Sequence, residues 1–351
     1  MADTALIFPG QGSQEVGMGR DVAEAFPEAR RLFEQADEVL GFALSDLCFR
    51  GPQELLDATV NTQPAIFVTS LALVEALKAA GSLPVAAMVA GHSLGELTAL
   101  VAGGAMGFEQ GLRLVRERGR LMKLAGERSP GGMAAVLKME DADVEQACKE
   151  AAAETSKPIQ IANYNSPGQV VISGDVEALN RAVELLRARG GKRIVPLAVS
   201  IAAHSPLMAG IVREYRAAVD ATDFCLPAIP VVANISARPL LSVDEIRDEL
   251  AGQLTWPVRW TDSVRWMASQ GIDRFVELMR QHHVTAYLTA HTHNTSVTNL
   301  GGVWQIDAGH ARGLGDKGAR STFLKGSHIR RICRECSVSA LASSFAWSCA
   351  S

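Results

Sequence analysis

The segment Gly91-His92-Ser93-Leu94-Gly95 matches G-x-S-x-G, the nucleophile elbow of many serine enzymes. In such an elbow the serine lies on a strained turn between a strand and a helix, and the glycines leave room for neighbouring backbone. The turn brings the Ser93 hydroxyl near a helix N-terminus, which favours developing negative charge. The Leu94 N–H is then the natural oxyanion donor, an interaction that contributes about 3–4 kcal/mol to transition-state stabilisation. The five residues alone also fit a tight turn in which a serine caps a helix.

A serine hydroxyl is a poor nucleophile at neutral pH and needs a base within hydrogen-bond distance. Residues 1–278 contain two histidines, His92 and His204. Because His92 is adjacent to Ser93, its side chain points away from the hydroxyl. We therefore predict that His204 is the base, although a buried structural histidine is the alternative interpretation.

A conventional serine hydrolase holds its histidine with an Asp or Glu. No single acid between Ser93 and His204 stands out for this role. A backbone carbonyl can orient the imidazole instead, so the sequence permits a Ser–His dyad.

The elements that must position these residues predict an α/β fold. Short apolar runs at 5–8 and 86–90 are typical of buried strands, and helix-forming residues at 96–102 follow the elbow directly. Strand, tight turn and helix in this order are characteristic of α/β proteins. We predict a large α/β-hydrolase-like body.

Residues 130–199 have a different pattern. Strands are predicted at 133–137, 159–163, 169–173 and 193–199, with a turn at 165–168 and helices at 141–154 and 176–189. This βαββαβ order is typical of a small ferredoxin-like subdomain. We therefore predict three parts: a body of residues 1–129 and 200–278, an inserted ferredoxin-like subdomain at 130–199, and an atypical tail at 279–351.

The tail differs in composition from the rest of the chain. It holds six of the eight histidines and three of the six cysteines, and its net charge of +5 leaves −9 for residues 1–278. We find no periodicity in it and predict that it is poorly ordered or foreign to the fold, as a shifted reading frame or a recombined end would be. Its His282-His283 and His291-Thr292-His293 groups lie about 40 residues from Cys333-Arg334-Glu335-Cys336, without the paired spacing of a zinc site. We predict no metal site.

Composition limits the partners of this chain. With 48% hydrophobic and 21% charged residues it is globular, and its net charge of −4 gives no general attraction to nucleic acid or anionic membranes. No apolar run approaches the roughly 20 residues that span a bilayer, and the first residues lack the features of a signal peptide. The cysteines at 48, 148 and 225 show no pairing pattern, which indicates free thiols. We expect a cytoplasmic protein that binds neither nucleic acid nor membrane.

Several ordered motifs resemble the malonyl-CoA:acyl carrier protein transacylases of fatty acid synthesis, over about residues 4–278. The motifs are Ile7–Gln14, Asn61–Ala65, Gly91–Glu96, Arg116–Gly119, Asn163–Gln169, Gln253-Leu254 and Pro257–Trp260. The first motif begins a few residues from Met1, from which we expect a stand-alone enzyme, and we expect it to be a monomer.

The resemblance also implies roles for individual residues. Ser93 forms the acyl-enzyme, and His204 acts first as base and then as acid. Gln11 and the Leu94 N–H hold the oxyanion, and Gln253 orients His204 through its main-chain carbonyl. On the same grounds Arg118 grips the free carboxylate of malonate, whereas its position on a basic helix would by default put it on a solvated face. His92 and Asn163 are the remaining substrate-binding residues.

The activity that follows from the resemblance is ping-pong transfer of malonyl from malonyl-CoA to the phosphopantetheine thiol of acyl carrier protein, for fatty acid or polyketide synthesis. It requires no cofactor. A serine thioesterase or hydrolase, or a carrier-protein-binding scaffold impaired by its altered C-terminus, remains an alternative.

Two departures from the family pattern bear on this activity. Ala203 stands before His204, where malonyl-specific relatives often have Phe or Ser, so methylmalonyl or relaxed selectivity stays open. After residues 275–278 the family continues with a Gly-Pro-Gly turn and a closing helix, but this chain has Met279-Arg280-Gln281-His282. If the last core elements are replaced, we expect stability and activity to be low.

Overall fold

The structure is a computed structural model that describes residues 3–197, 199 and 201–278, together with the backbone of two later strands. The strands are β1 Thr4–Phe8, β2 Ala86–Gly91, β3 Gly131–Leu137, β4 Ile159–Ser166, β5 Gln169–Asp175, β6 Arg193–Pro196, β7 Val231–Val232, β8 Arg274–Glu277, β9 Asn294–Leu300 and β10 Val303–Gly309. The helices are α1 Arg20–Ala25, α2 Pro27–Leu40, α3 Leu44–Arg50, α4 Gln53–Leu56, α5 Thr59–Ala79, α6 Gly95–Ala102, α7 Phe108–Arg128, α8 Asp141–Thr155, α9 Val176–Ala188, α10 Ala209–Asp220, α11 Val243–Gly252 and α12 Trp260–Ser269. A short 3₁₀ helix, Pro206–Met208, precedes α10.

The larger sheet has the strand order β7-β2-β1-β8-β10-β9, and its first four strands are parallel. Leu6 of β1 pairs with Val89 of β2 on one side and with Val276 of β8 on the other. All five residues of β1 are buried. A central parallel strand is covered on both faces, which explains why its sequence is a continuous apolar run. The predicted strands at 5–8 and 86–90 are confirmed.

The larger sheet continues into the tail. Strand β10 pairs antiparallel with β8, and β9 pairs antiparallel with β10. The sequence analysis predicted that this end is poorly ordered or foreign to the fold and did not anticipate these two strands. Strand pairing is made by backbone groups, and the sequence signal for this hairpin is the Gly301-Gly302 pair between the two runs. The histidine and cysteine groups of the tail lie outside the described residues.

The smaller sheet is antiparallel, with strand order β4-β5-β3-β6. The predicted βαββαβ succession is present, with α8 and α9 packed against the strands around a separate apolar core. Strand β4 extends to Ser166, three residues beyond its predicted end, so the turn consists of Pro167 and Gly168 alone. Strand β6 ends at Pro196, three residues earlier than predicted.

Helices α5 and α7, with 21 residues each, are the longest elements of the main core. Helix α5 is the one described helix that is long and apolar enough by composition to cross a membrane, which the inspection of uninterrupted apolar runs did not anticipate. In its most apolar 18-residue window 78% of the residues are buried inside the protein. A core helix has this property, and nine buried α5 residues are part of the main apolar core.

The small sheet reaches the main body through β4. The Tyr164 N–H donates to Val258 O at 2.9 Å, and the Val258 N–H donates to Ala162 O at 2.8 Å. Gln160 Nε2 donates to His204 O at 2.7 Å and to Thr255 O at 2.9 Å. These bonds fix the backbone around His204 from the side of the small sheet.

The close approach of α6 to β1 gives a prediction about stability. A Cβ at Gly95 would lie 2.2 Å from Phe8 O and 2.8 Å from Pro9 O, and neither backbone atom can move aside. We expect Gly95→Ala to cost about 1–3 kcal/mol and to lower Tm by roughly 2–10 °C in thermal unfolding followed by circular dichroism. The matched control is Gly210→Ala, also in the first turn of a helix, where a Cβ meets nothing within 4 Å. Its Tm should stay the same or rise, and a wild-type Tm for Gly95→Ala would contradict the packing argument.

Candidate active site

The site begins at the turn that joins β2 to α6. Ser93 has a φ of 52°, in the left-handed region that a non-glycine residue adopts at a cost. A Cβ at Gly91 would lie 1.9 Å from the carbonyl carbon of Gly95, so the turn closes only with glycine at this position. The predicted strand, strained turn and helix are all present around Ser93.

Asn234 holds this turn and was missed by the sequence analysis. Its Oδ1 accepts from the Ser93 N–H at 2.7 Å, and its Nδ2 donates to Gly91 O at 2.7 Å. The available signal was its position directly after a short apolar run, because polar residues that follow the carboxyl ends of parallel strands meet at one sheet edge.

His204 lies against the Ser93 hydroxyl, as predicted. The Ser93 Oγ to His204 Nε2 distance is 2.8 Å, and the imidazole is 3% exposed. On the other side of the ring, Nδ1 lies 2.7 Å from Gln253 O. Because a carbonyl can only accept, Nδ1 carries the proton and Nε2 presents its lone pair to the serine. This arrangement is the dyad that the sequence permits, with a backbone carbonyl in the place of a triad acid.

The electrostatic surroundings keep His204 neutral. Burial, and after it the Arg118 cation, lower the pKa of His204 from 6.5 to about 3. At neutral pH the imidazole is therefore unprotonated and able to accept the serine proton.

Arg118 is the third side chain that reaches Ser93. Although it is on a basic helix, it is 1% exposed, so a solvated face is the wrong interpretation for this residue. Nη2 donates to Ser93 Oγ at 3.1 Å and to Gln253 Oε1 at 2.7 Å, and Nη1 donates to Gln63 Oε1 at 3.0 Å. Its Nε has no partner within the described part of the chain. The guanidinium is thus buried beside the nucleophile with a donor still available for an anionic ligand.

Gln63 was quoted only as part of a motif in the sequence analysis, and its role as a partner of Arg118 was missed. It is fully buried within α5, and its Nε2 lies 3.2 Å from the Met122 sulfur. The signal was a glutamine in a segment that is otherwise part of the apolar core, since a buried amide needs polar partners.

The two expected oxyanion donors differ in their surroundings. Leu94 follows Ser93 at the start of α6, and among the described residues its N–H has no acceptor. Gln11 is in the exposed loop after β1, and its side-chain amide donates to Thr59 Oγ1 at 3.0 Å. The Gln11 N–H likewise has no acceptor in the described ranges, so the backbone of this residue is the group available to an oxyanion.

The two remaining predicted residues, His92 and Asn163, lie at the boundary with the small sheet. His92 Nε2 pairs with Asn165 Oδ1 at 2.9 Å, and its ring packs edge-on against Trp260 with centroids 5.7 Å apart. Burial lowers the pKa of His92. Asn163 is buried, and its backbone forms an isolated β-bridge with Val258. Asn165, two residues further on, is the residue whose side chain contacts the elbow, and the sequence analysis did not single it out.

In the described residues no group of three or more His, Cys, Asp or Glu side chains could hold a metal ion. The Ser93 hydroxyl lies beside a neutral imidazole, an arginine and the N–H of the next residue, Leu94. Together they can form and release an ester of an acyl group with Ser93.

Comparison with known proteins identifies the family of this arrangement. The family model described as acyl transferase domain matches residues 5–317, beyond the end of the motif resemblance at residue 278. Two curated relatives named malonyl CoA-acyl carrier protein transacylase, from Bacillus subtilis and Escherichia coli, are each 41% identical over 278 residues, which are 79% of this chain and 87% and 89% of the relatives.

Solved structures agree with this. A malonyl-CoA:acyl carrier protein transacylase from Xanthomonas oryzae superposes with a TM-score of 0.76 at 43% identity, covering 80% of this chain and 88% of that one. A malonyl-transacylase in complex with a type II polyketide acyl-carrier protein has a TM-score of 0.76 at 39% identity, covering 79% of this chain and 89% of that one. The mixed α/β fold, with one mainly parallel and one antiparallel sheet, is the fold of these enzymes.

With its serine elbow, its Ser93–His204 pair and a family match over most of its length, the chain belongs to the acyltransferase domain family and is similar to its malonyl-CoA:acyl carrier protein transacylases.

Proposed function

We propose that this protein transfers malonyl groups from malonyl-CoA to the phosphopantetheine thiol of an acyl carrier protein, through a malonyl-Ser93 intermediate, in fatty acid or polyketide synthesis. The observation that carries this proposal is the convergence of His204 Nε2 and the buried Arg118 on the hydroxyl of Ser93. The first group activates a nucleophile, and the second provides a cation where a short acyl group with a free carboxylate would lie.

Both half-reactions use the same proton route. Ser93 Oγ attacks the thioester carbon of malonyl-CoA while His204 Nε2 takes the hydroxyl proton. The C–S bond then breaks, and the imidazolium returns the proton to the coenzyme A thiolate. In the second half-reaction the carrier-protein thiol gives its proton to His204 and attacks malonyl-Ser93. The C–O bond breaks, and Ser93 Oγ takes the proton back.

The orientation of His204 supports these steps. Its Nδ1 proton is held by Gln253 O, and its own backbone carbonyl is held by Gln160. The backbone φ of 55° at His204 is maintained by these contacts from both sides. We assign the oxyanion hole to the Leu94 and Gln11 N–H groups, since both donors lack an acceptor in the described residues and the first is adjacent to the nucleophile.

Arg118 gives selectivity for a carboxylated acyl group. An acetyl group would leave the buried guanidinium without a carboxylate in direct contact, and a substrate that leaves a buried polar group unpaired is strongly disfavoured. The carboxylate also acts on the base. Because the Arg118 cation lowers the pKa of His204, neutralisation of this cation by malonate raises the basicity of the imidazole when the correct substrate is bound. His92 and Asn163 border the site from the small sheet, and Ala203 leaves methylmalonyl selectivity open.

The known relatives favour transfer over hydrolysis. Those reported above are named transacylases, and one of the solved structures is a complex with an acyl-carrier protein. A thioesterase would also leave the buried Arg118 without a purpose. We therefore place malonyl-CoA and an acyl carrier protein as the two substrates, with no cofactor.

Further proposals concern organisation and location. We propose that residues 1–129 and 200–278 form an α/β-hydrolase-like body, that residues 130–199 form a ferredoxin-like subdomain, and that residues 279–351 form an atypical end. The strand order β4-β5-β3-β6 with two helices supports the ferredoxin-like assignment. The three described cysteines are free, which supports a reducing, cytoplasmic location. We propose a monomer that acts without a membrane.

The first prediction from this function concerns the acyl-enzyme. With radiolabelled malonyl-CoA, the wild-type protein should acquire a stable label on Ser93 that chases to carrier protein. Ser93→Ala should abolish the label because, among the described residues, no other hydroxyl is paired with His204, and the exposed control Ser82→Ala should label normally. Rapid release of free malonate from the wild type would indicate a hydrolase, and no label would indicate a non-catalytic scaffold.

The second prediction concerns Arg118. We expect Arg118→Ala to lower kcat/KM for malonyl-CoA by about 100-fold, since charge-assisted hydrogen bonds contribute roughly 1.5–3 kcal/mol, and to narrow the preference for malonyl over acetyl. The matched control is Arg120→Ala on the same helix, because its ion pair with Glu117 is exposed. A malonyl preference that persists in Arg118→Ala would contradict the assigned role.

The third prediction concerns the pH dependence of the nucleophile. Because the pKa of His204 is lowered to about 3, the imidazole remains neutral throughout the mildly acidic range. Covalent labelling of Ser93 by phenylmethylsulfonyl fluoride, which carries no carboxylate, should therefore proceed at a constant rate from pH 8 down to about pH 5. In Arg118→Met the pH below which the labelling rate falls should be higher than in the wild type, because the cation that disfavours the imidazolium is gone. If the labelling rate of the wild type instead falls with a midpoint near pH 6.5, the pKa of His204 is not lowered.

A further inference from the structure

Two buried carboxyl groups lie behind Gln253, and the acyl-transfer steps do not use them directly. Glu96 on α6 is 0% exposed, and Glu249 on α11 is 7% exposed. Acidic side chains are rarely buried without a partner, and two such groups in contact indicate a specific electrostatic role.

Glu96 is tied to the catalytic residues by hydrogen bonds. Its Oε2 accepts from Gln253 Nε2, and its Oε1 accepts from the Asn234 N–H at 2.9 Å. Gln253 Nε2 also donates to Ser93 O at 3.0 Å. Because the amide nitrogen of Gln253 is directed to Glu96, its oxygen is directed to Arg118. Gln253 therefore connects the carboxylate of Glu96 with the guanidinium of Arg118.

Glu249 completes the pair. Its Oε1 accepts from the Ile235 N–H at 2.8 Å, directly beside the Asn234 N–H that Glu96 accepts, which brings the two buried carboxyl groups together. Two carboxylates have only acceptors, so a hydrogen bond between them requires one proton. Burial raises the pKa of Glu249 to about 7, and burial together with the Glu249 carboxyl raises the pKa of Glu96.

The groups that face this pair balance its charge. Arg118 is near Glu96, and the described residues place no carboxylate within ion-pair distance of its guanidinium. The hydrogen-bond acceptors of Arg118 are the neutral Gln63, Gln253 and Ser93. Tyr215 on α10 also faces Arg118 and Glu96, and burial raises the pKa of its phenol, which is therefore neutral at pH 7. His204 beside Arg118 is neutral as well.

We propose that Glu96 and Glu249 share one proton, and that the single negative charge they retain is the resting counterion of Arg118, positioned through Gln253. With one proton on the pair, the buried group of Arg118, Glu96 and Glu249 has no net charge. Glu96 is accordingly a positioning residue for Gln253, and Glu249 determines the charge of the Glu96–Glu249 pair.

A consequence follows for the binding of malonyl-CoA, and this part rests on the proposed function. The carboxylate of the substrate replaces the acid pair as the counterion of Arg118. Below about pH 7 Glu249 is also protonated and the pair carries no charge; as the pH rises Glu249 ionises while Glu96 keeps the shared proton, and the resulting negative charge competes with the substrate for the same cation. The affinity for malonyl-CoA should therefore fall as the pH rises through about 7.

The experiment compares the full-length wild type with Glu249→Gln. This variant replaces the carboxyl group that ionises near pH 7 by a neutral amide, and burial still raises the pKa of Glu96, so the charge of the pair does not change as the pH passes through 7. We expect the KM for malonyl-CoA to rise by about tenfold between pH 6 and 8 in the wild type and by less than twofold in Glu249→Gln. The matched control is Glu245→Gln on the same helix, whose exposed carboxyl accepts from the Leu241 N–H. It should keep the wild-type profile.

A second measurement needs no substrate. The pKa of Glu249 in the folded state, about 7, lies above its unfolded value of about 4.5, so the stability that its bound proton provides is present at low pH and is lost as the pH rises through about 7. In thermal unfolding, the fall in Tm from pH 6 to 8 should be smaller in Glu249→Gln than in the wild type and in Glu245→Gln.

The KM and Tm measurements distinguish failure of the proposed role of the Glu96–Glu249 pair from failure of the proposed malonyl transfer. A wild-type KM that is constant between pH 6 and 8, or a Glu249→Gln profile that follows the wild type, overturns the counterion role. An equal fall in Tm for the wild type and Glu249→Gln overturns the ionisation of Glu249 near pH 7, which the counterion role requires. If the wild type does not react with malonyl-CoA, the proposed function fails, and the Tm comparison still decides whether Glu249 binds a proton in the folded state.

Discussion

The hydrogen bond between the Ser93 hydroxyl and the His204 imidazole joins two residues that are 111 positions apart along the chain. Most of the fold can be understood as the support for this bond. The parallel strands β1 and β2 carry the elbow, and Asn234 after β7 ties its turn to the neighbouring strand. From the other side, β4 of the small sheet holds the backbone of His204 through Gln160. The bond therefore depends on both sheets at once, and a change in their contact would separate the two groups.

Burial of charge is the second constraint on this site. Arg118 and His204 are almost completely buried, so the cation and a protonated imidazole would both be costly without an anion. The structure keeps the imidazole neutral and surrounds the guanidinium with amide oxygens. A substrate carboxylate would provide the missing direct counter-anion, which relates the choice of acyl group to the strength of the base. In this way selectivity and catalysis would arise from one buried positive charge.

Local patterns predicted much of the fold. Apolar runs that lie in the centre of a parallel sheet are easy to recognise, and β1 and β2 were expected nearly where they are. The βαββαβ order of the small sheet was expected for the same reason, with errors of a few residues at the ends of β4 and β6. The hairpin of β9 and β10 was not expected, because it is defined by backbone pairing with β8 and its side-chain pattern does not alternate clearly. The apolar content of α5 was underestimated, because polar residues interrupt a helix that the core nevertheless buries.

The residues themselves were sufficient to predict a serine nucleophile in an elbow and, by elimination, His204 as its base, because these predictions depend on residue type, local spacing and the small number of histidines; the structure places the two side chains in contact. Similarity to a family added roles for Arg118 and Gln253. Contacts between distant segments are not encoded in any local pattern, and the partners Asn234, Gln63, Asn165 and the pair Glu96–Glu249 became apparent only in three dimensions. A buried polar side chain acquires its role from what the folded chain places within about 3 Å of it, and that placement results from the packing of the whole molecule.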